Sequence, residues 1–241
     1  MSNTYFQFKQ FIVHQEKTSM KVCTDSCLFG AWVADCVSKE SNTIDRVLDI
    51  GCGTGLLSLM FAQKNNSKID AIEIDQDAAE QAQQNISLSP WKEGIRVSTI
   101  ALQKYSPSEP FDLIISNPPF YENDLKSVNT LKNAAKHDTT LTLELLIHFI
   151  TKHLSAQGKA AILLPFHRTQ DLERLIITND LFVSRKVLVR QTKKHDYFRT
   201  MFILSKIEQG ECLENSISVR DESGNYSSDF IELLQDYYLA L

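Results

Sequence analysis

Residues 46–55 read RVLDIGCGTG, a short apolar run that meets an aspartate and then three glycines at alternate positions. Strand, glycine turn and helix follow one another here, with the helix expected at 54–65. Gly51, Gly53 and Gly55 let the main chain come close to a ligand. The turn lies at the C-terminal ends of the strands, where ligands of open α/β sheets bind.

Outward from that stretch, strand-like and helix-like runs take turns, which implies a mostly parallel sheet with helices on both faces. Seven strands are expected, at 46–50, 69–74, 95–100, 111–116, 159–164, 181–190 and 199–207. Helices fit at 25–37, 54–65, 76–88, 141–154 and 168–178, the fourth with Leu141, Leu145 and Phe149 at a four-residue period. The connection QTKKHDYF (191–198) is too short for a crossover helix, so the last two strands pair antiparallel as a hairpin at one edge of the sheet. Near the end, Phe230, Leu233, Leu234 and Tyr237 fall at i, i+3, i+4 and i+7, and Ser228 stands as N-cap, giving a packing helix within 227–240. Between Tyr121 and Leu141 no apolar period appears, which suits a functional lid or a disordered loop.

The 241 residues suffice for one large domain spanning 1–241. No apolar run approaches the roughly 20 residues that cross a bilayer, and the polar start MSNTYFQFKQ is no signal peptide, so a cytoplasmic protein without a membrane partner is expected. Five cysteines, an odd number, point to free thiols rather than disulfides. Cys23 and Cys27 have no second pair at ligand spacing, and no metal is expected. A net charge of −5 argues against indiscriminate nucleic-acid binding. Between Arg185 and Lys206, however, seven basic residues face one acid, Asp196. Either an anion docks there or lysines keep an edge strand soluble.

The GxGxG spacing departs from the dinucleotide fingerprint GxGxxG, and Asp49 stands two residues before the first glycine. A zwitterionic amino-acid group suits this better than a pyrophosphate. Amides at the helix start would hold its carboxylate while Asp49 takes its ammonium. The second strand ends IEID, and Glu73 in it, about 20 residues beyond the glycine turn, is placed to accept both ribose hydroxyls. Asp75 is the alternative, but it opens DQDAAE as a capping residue would.

Residues 111–120, FDLIISNPPF, run an apolar strand into two prolines. Proline has no backbone donor, so the strand stops at Ser116. Residues before proline are held extended, so Asn117 and Pro118 form a stiff acceptor pair beside the aromatic Phe120.

DIGCGTG, AIEID and DLIISNPPF together resemble Rossmann-like class I methyltransferases that use S-adenosylmethionine, and NPPF resembles the motif of those that methylate planar amino or amide nitrogens. The opening FKQFIVHQEKTSMKVCTDSCLFGAW is similar to that of the bacterial tRNA(Val) adenine-37 N6-methyltransferases, and the ending YSSDFIELLQDYYLAL is similar to their C-terminal helix. The resemblance implies that segment 1–40 closes over the cofactor, with Lys21, Thr24, Asp25 and Leu28 on the closing stretch. It also implies methyl transfer to N6 of an adenine in a tRNA anticodon loop, with Asn117, Pro118 and Phe120 catalytic and Asn117 touching cofactor as well. Two departures stand out: Cys23 and Ser26 replace glycines, and Ala101 replaces the acid that contacts the cofactor adenine, leaving that role to the backbone of Leu102. Asn117 and Pro118 would accept both amine hydrogens and direct the lone pair at the methyl, with no histidine needed. Lys193 and Lys194, with Lys136 and Arg168, are candidates for RNA phosphate. A monomer is expected. The alternatives are a glutamine N5-methyltransferase, disfavoured by the short stretch before the glycine turn, and a nucleotide-binding module without catalysis, disfavoured by the acceptor at Asn117.

Overall fold

The structure, a computed structural model, describes residues 3–18, 20–39, 43–118, 141–208 and 210–241. Strands β1 (Tyr5–Gln7) and β2 (Ile12–His14) form a small antiparallel ribbon. Helix α1 (Thr24–Ser38) leads to β3 (Arg46–Ile50), α2 (Leu56–Ala62), β4 (Lys68–Glu73), α3 (Gln76–Ser87), β5 (Ile95–Thr99) and β6 (Phe111–Ser116). Then come α4 (Leu143–His153), β7 (Leu154–Pro165), α5 (Thr169–Thr178), β8 (Phe182–Arg190), β9 (Tyr197–Ser205), β10 (Leu213–Ser218) and α6 (Ser228–Leu234).

The main sheet has eight strands in the order β10-β8-β9-β7-β6-β3-β4-β5. Pairing is parallel except where β9 meets β7 and β8. Side chains alternate across it: Val47, Leu113 and Ile115 join α1 and α2 on one face, while Leu48, Ile50 and Ile114 join α4 and α5 on the other. Both faces are therefore covered, as a parallel sheet requires. In α4 the buried stripe is Leu143, Leu146, Ile147, Phe149 and Ile150. Leu141 lies before the helix, which Thr142 caps by accepting from the Leu145 amide at 3.2 Å. Of the expected Leu141–Leu145–Phe149 line, Phe149 is buried within the stripe, while Leu141 and Leu145 are half-buried at its margin.

Three further expectations are corrected. The sheet gains an eighth strand, β10, whose sequence LENSIS buries only Ile217 among its apolar residues and so lacks a strand-like hydrophobic signal. The hairpin β8–β9 is antiparallel as expected, but it is not the edge: β10 covers β8, and β9 is inserted next to β7. Lys186 on β8 accordingly meets Glu173 at 2.9 Å and Glu214 of β10 at 3.0 Å instead of open solvent. Finally, the cap of α6 is Ser227, whose hydroxyl accepts from the Phe230 amide at 3.2 Å; Ser228 is the first helical residue.

The outer segments dock on the body. His14 of β2 donates its amide to Asn85 Oδ1 at 2.9 Å, and Asn85 returns Nδ2 to the His14 carbonyl at 2.8 Å. Tyr237, just past α6, donates its hydroxyl to the Met60 carbonyl at 3.0 Å.

Candidate active site

Register fixes where the chemistry sits. Ile50 at the end of β3 lies opposite Ser116 at the end of β6, so Gly51 and Asn117 leave the sheet side by side. Ser116 ties the two ends further by donating its hydroxyl to the Ile50 carbonyl at 2.9 Å. On the other flank Ile50 pairs with Ile72, one residue before Glu73.

The glycine turn continues the ladder for one step, with Gly51 and Cys52 amides both donating to the Ile72 carbonyl at 2.9 and 3.1 Å. Gly51 and Gly53 then take φ of +70° and +55°, left-handed values that strain any residue with a Cβ. A Cβ built at either would meet nothing within 4 Å, so bare backbone faces open space.

Asp49 is fully buried on the α2 face. Its Oδ2 accepts from the Ser58 amide at 3.1 Å and hydroxyl at 2.7 Å, whereas Oδ1 has no partner. Burial pushes the carboxyl up to about 6; the Ser58 donors pull it back and the Glu73 charge adds to the rise. A buried acceptor left open is costly unless something supplies the missing donor or positive charge.

Glu73 turns its carboxylate back over the turn. Oε2 accepts from the Gly53 amide at 3.0 Å, and Oε1 accepts from the amides of Ile74 at 2.8 Å and Asp75 at 3.0 Å. Asp75 caps α3, accepting from the Ala78 amide at 2.8 Å, so of the two acids Glu73 is the one turned to the glycines. Past β5, Leu102 buries its side chain in the α4-side core and opens a short 3-10 turn, leaving only its main chain for the site. These groups fit an amino-acid nucleoside such as S-adenosylmethionine: a buried carboxylate with one oxygen unpaired, a bare glycine surface and an acid at the end of the next strand turned to the glycines.

At the β6 end, Asn117 Nδ2 donates to Ser26 Oγ at 2.8 Å, and Pro118 is buried. Ser26 Oγ also lies 3.0 Å from Cys23 Sγ, and burial, with the Asp25 charge, pushes that thiol up so that it stays protonated. Ser26 itself is buried at the start of α1. With the amide nitrogen engaged there, the Asn117 oxygen is the end left for an incoming donor. Sequence reading missed Ser26; its one visible signal is that it stands where the resemblance has glycine. Ser58 was also missed, a polar residue inside the apolar run LLSLMF.

Of the segment thought to close over cofactor, Asp25 accepts from the Ser26 amide at 3.0 Å and from Arg199 Nε at 2.7 Å. Thr24 is exposed as the first residue of α1, and exposed Lys21 donates to the Gln15 carbonyl. The structure therefore brings Asp49, Gly51, Gly53, Glu73, Ser26 and Asn117 to one end of the sheet, with Asp25 bound sideways to β9. Gly55, φ +79°, serves as N-cap of α2, and a Cβ added there would lie 3.5 Å from the Ala82 side chain, a structural position. Phe120 and Lys136, like Pro119, His137 and the expected lid, lie outside the described residues.

The basic run is largely absorbed: Lys186 and Arg199 are ion-paired, and Lys206 donates to the Leu154 carbonyl at 2.7 Å. Lys193 and Lys194 remain exposed in the β8–β9 turn. Arg168 bonds Asp171 at 2.8 Å with its side chain only 13% exposed, a poor free phosphate donor. Among the described residues no group of three or more His, Cys, Asp or Glu is arranged to hold a metal.

Residues 31–164 match the methyltransferase small domain model. Over the full length of both chains, the sequence is 39% identical to the tRNA1(Val) (adenine(37)-N6)-methyltransferase of Cytophaga hutchinsonii and 37% identical to that of Parabacteroides distasonis. Among solved structures, a predicted O-methyltransferase from Agrobacterium tumefaciens aligns with TM-score 0.64 at 15% identity, covering 87% of this chain and 95% of that one. An S-adenosylmethionine-dependent methyltransferase from Clostridium acetobutylicum aligns with TM-score 0.54 at 12% identity, covering 74% and 90%. At these identities the structural likeness bears on the fold alone.

Proposed function

The chain belongs to the methyltransferase small domain family and, over its whole length, to the tRNA1(Val) (adenine(37)-N6)-methyltransferases, and on that premise we propose that it methylates N6 of adenine 37 in the anticodon loop of a valine tRNA, using S-adenosylmethionine. The observation that carries the reading is the β3–β6 register: it puts the Asn117 acceptor beside the glycine turn with its unpaired Asp49 oxygen.

S-adenosylmethionine, when bound, supplies an electrophilic methyl on a sulfonium. Asp49 Oδ1 would take its ammonium, Glu73 its ribose hydroxyls, and the Leu102 main chain its adenine; Gly51 and Gly53 let the main chain approach, and Lys21, Thr24 and Asp25 border the entrance. Asn117 Oδ1 and the Pro118 carbonyl accept the two N6 hydrogens of the target adenine, and Phe120 stacks on its ring. Two acceptors on one amine favour the geometry in which the lone pair leaves the ring plane. Ser26, by engaging the amide nitrogen of Asn117, presents its oxygen. No strong base is required, since the nitrogen becomes acidic only once it carries the methyl group, and water then accepts the proton. An unpaired loop base costs less to extrude than one in a helix. Lys193, Lys194 and Lys136 would meet backbone phosphate; the ion pair of Arg168 demotes it to a lesser role.

In this reading residues 1–241 form one domain, with 1–40 closing on the cofactor, acting as a monomer in the cytoplasm. No helix among the described residues is long and apolar enough to cross a membrane. The test is incubation with methyl-labelled cofactor and total tRNA from a strain lacking the enzyme, followed by nucleoside analysis. Label in N6-methyladenosine is expected; label in glutamine of a protein fraction would overturn the assignment.

A further inference from the structure

We propose that Phe166 and Tyr197 form a stacking platform for an unpaired nucleotide beside the target adenine, an RNA-contacting surface that deepens the tRNA reading and rests on it. Its position follows from register. Ser116 pairs with Ile162 on β7, and Pro165, the last residue of β7, pairs with Arg199 on β9. Phe166, the residue after β7, and Tyr197, the first residue of β9, thus lie at the sheet end that carries Asn117, one and two strands further out. Arg199 connects the two places through Asp25 at 2.7 Å, the neighbour of the Ser26 that holds Asn117.

An aromatic ring at this place has no core to fill. Phe166 is 38% exposed while the residues behind it, Leu163 and Leu164, are buried. Its ring lies 5.5 Å from that of half-buried Tyr197 at 46°, and the Arg190 guanidinium sits 5.3 Å from the Tyr197 ring centre. In the turns that carry them Lys193, Lys194, His195 and His167 are exposed, with Asp196 the one exposed acid. Aromatic rings with interleaved cations are what unpaired nucleic acid binds, bases on rings and phosphates on lysines. The platform is also held in place. Thr169, directly after the Phe166–Arg168 turn, hydrogen-bonds Thr200 of β9 at 2.7 Å with both residues buried, and Arg190 Nε donates to Ser218 Oγ at 3.1 Å. Ordering costs on binding are small when rings are already fixed. Charge complementarity selects the occupant: the cations of this patch suit a polyanion, whereas the chain as a whole carries −5.

The test is equilibrium binding of an unmodified tRNA(Val) transcript to the full chain, for wild type, Phe166→Ala, Phe166→Leu and Phe166→Trp, with thermal unfolding as a check on folding. Loss of one stacked base corresponds to about 5- to 150-fold weaker binding. The alanine and leucine variants should both show such a loss, and tryptophan should restore affinity, because leucine replaces packing but not a π face. Cofactor affinity should not change, and the salt dependence of RNA binding should be the same in every Phe166 variant, whereas Lys193→Glu should lower its slope by about one unit. Equal binding by all variants, leucine rescuing as well as tryptophan, or no RNA binding by wild type would overturn the platform. Failure of the parent reading looks different: RNA binding that depends on the Phe166 ring but yields no N6-methyladenosine.

Discussion

Asp49→Asn should make the cofactor-free protein more stable above pH 6 while crippling cofactor binding. In the folded chain the Asp49 carboxyl is raised from 3.8 to about 6, chiefly by burial. The folded state therefore holds this proton more tightly than the unfolded state does. Its stabilising contribution is fully present below about pH 4 and is lost as pH rises through about 6. Two units at about 1.4 kcal/mol each put the loss at about 3 kcal/mol. Asparagine keeps an acceptor for the Ser58 amide and hydroxyl but carries no charge to desolvate. The variant should gain up to about 3 kcal/mol at pH 8, or about 6–12 °C in Tm for a chain of this size, and nothing at pH 4. Added S-adenosylhomocysteine, which retains the ammonium group, should reverse the order at pH 8 by stabilising wild type alone. The assay is thermal unfolding from pH 4 to 8, with and without that ligand. An asparagine variant that is less stable than wild type at pH 8, or a difference independent of pH, would refute the reasoning.

Wild-type cofactor affinity should weaken as pH falls below about 6, approaching tenfold per unit, because the ammonium then meets a protonated Asp49; titration calorimetry across pH 5–8 checks this. Gly53→Ala places a Cβ at φ +55° on the open side of the turn. It should lower Tm by a few degrees at about 1–2 kcal/mol of backbone strain, yet weaken cofactor binding by more than about tenfold; an unchanged cofactor Kd would show that the turn is not a contact surface. Ser26→Ala removes one hydrogen bond to Asn117, worth about 0.5–1.5 kcal/mol. Methyl transfer should fall about 2- to 12-fold at unchanged cofactor affinity, as read from single-turnover rates.

The site was legible in sequence wherever its parts are local. Asp49 at the end of β3 lies within a few residues of the glycines, and Glu73 follows on the next strand, so spacing and alternation place them at one end of the sheet. Ser26 and Asn117 are 91 residues apart, and Asp25 and Arg199 are 174 apart; no local pattern links them, and only the sheet order brings them together. The same limit explains the fold errors. A short turn makes β8 and β9 antiparallel, but which of them touches β7 depends on the whole sheet. β10 reads LENSIS because it pairs through its main chain at an edge, with exposed residues along most of its length. For α6 the ambiguity is between adjacent serines in NYSSDF, where only the hydrogen bond to Phe230 decides the cap.

In the proposed mechanism a rigid acceptor at the end of β6 binds the adenine amine. Single-turnover methylation of unmodified tRNA(Val) by Asn117→Ala, at saturating cofactor and tRNA, tests it most directly. The rate should fall by about 10²–10³-fold, with cofactor Kd within severalfold of wild type. A rate within a few-fold of wild type would contradict it.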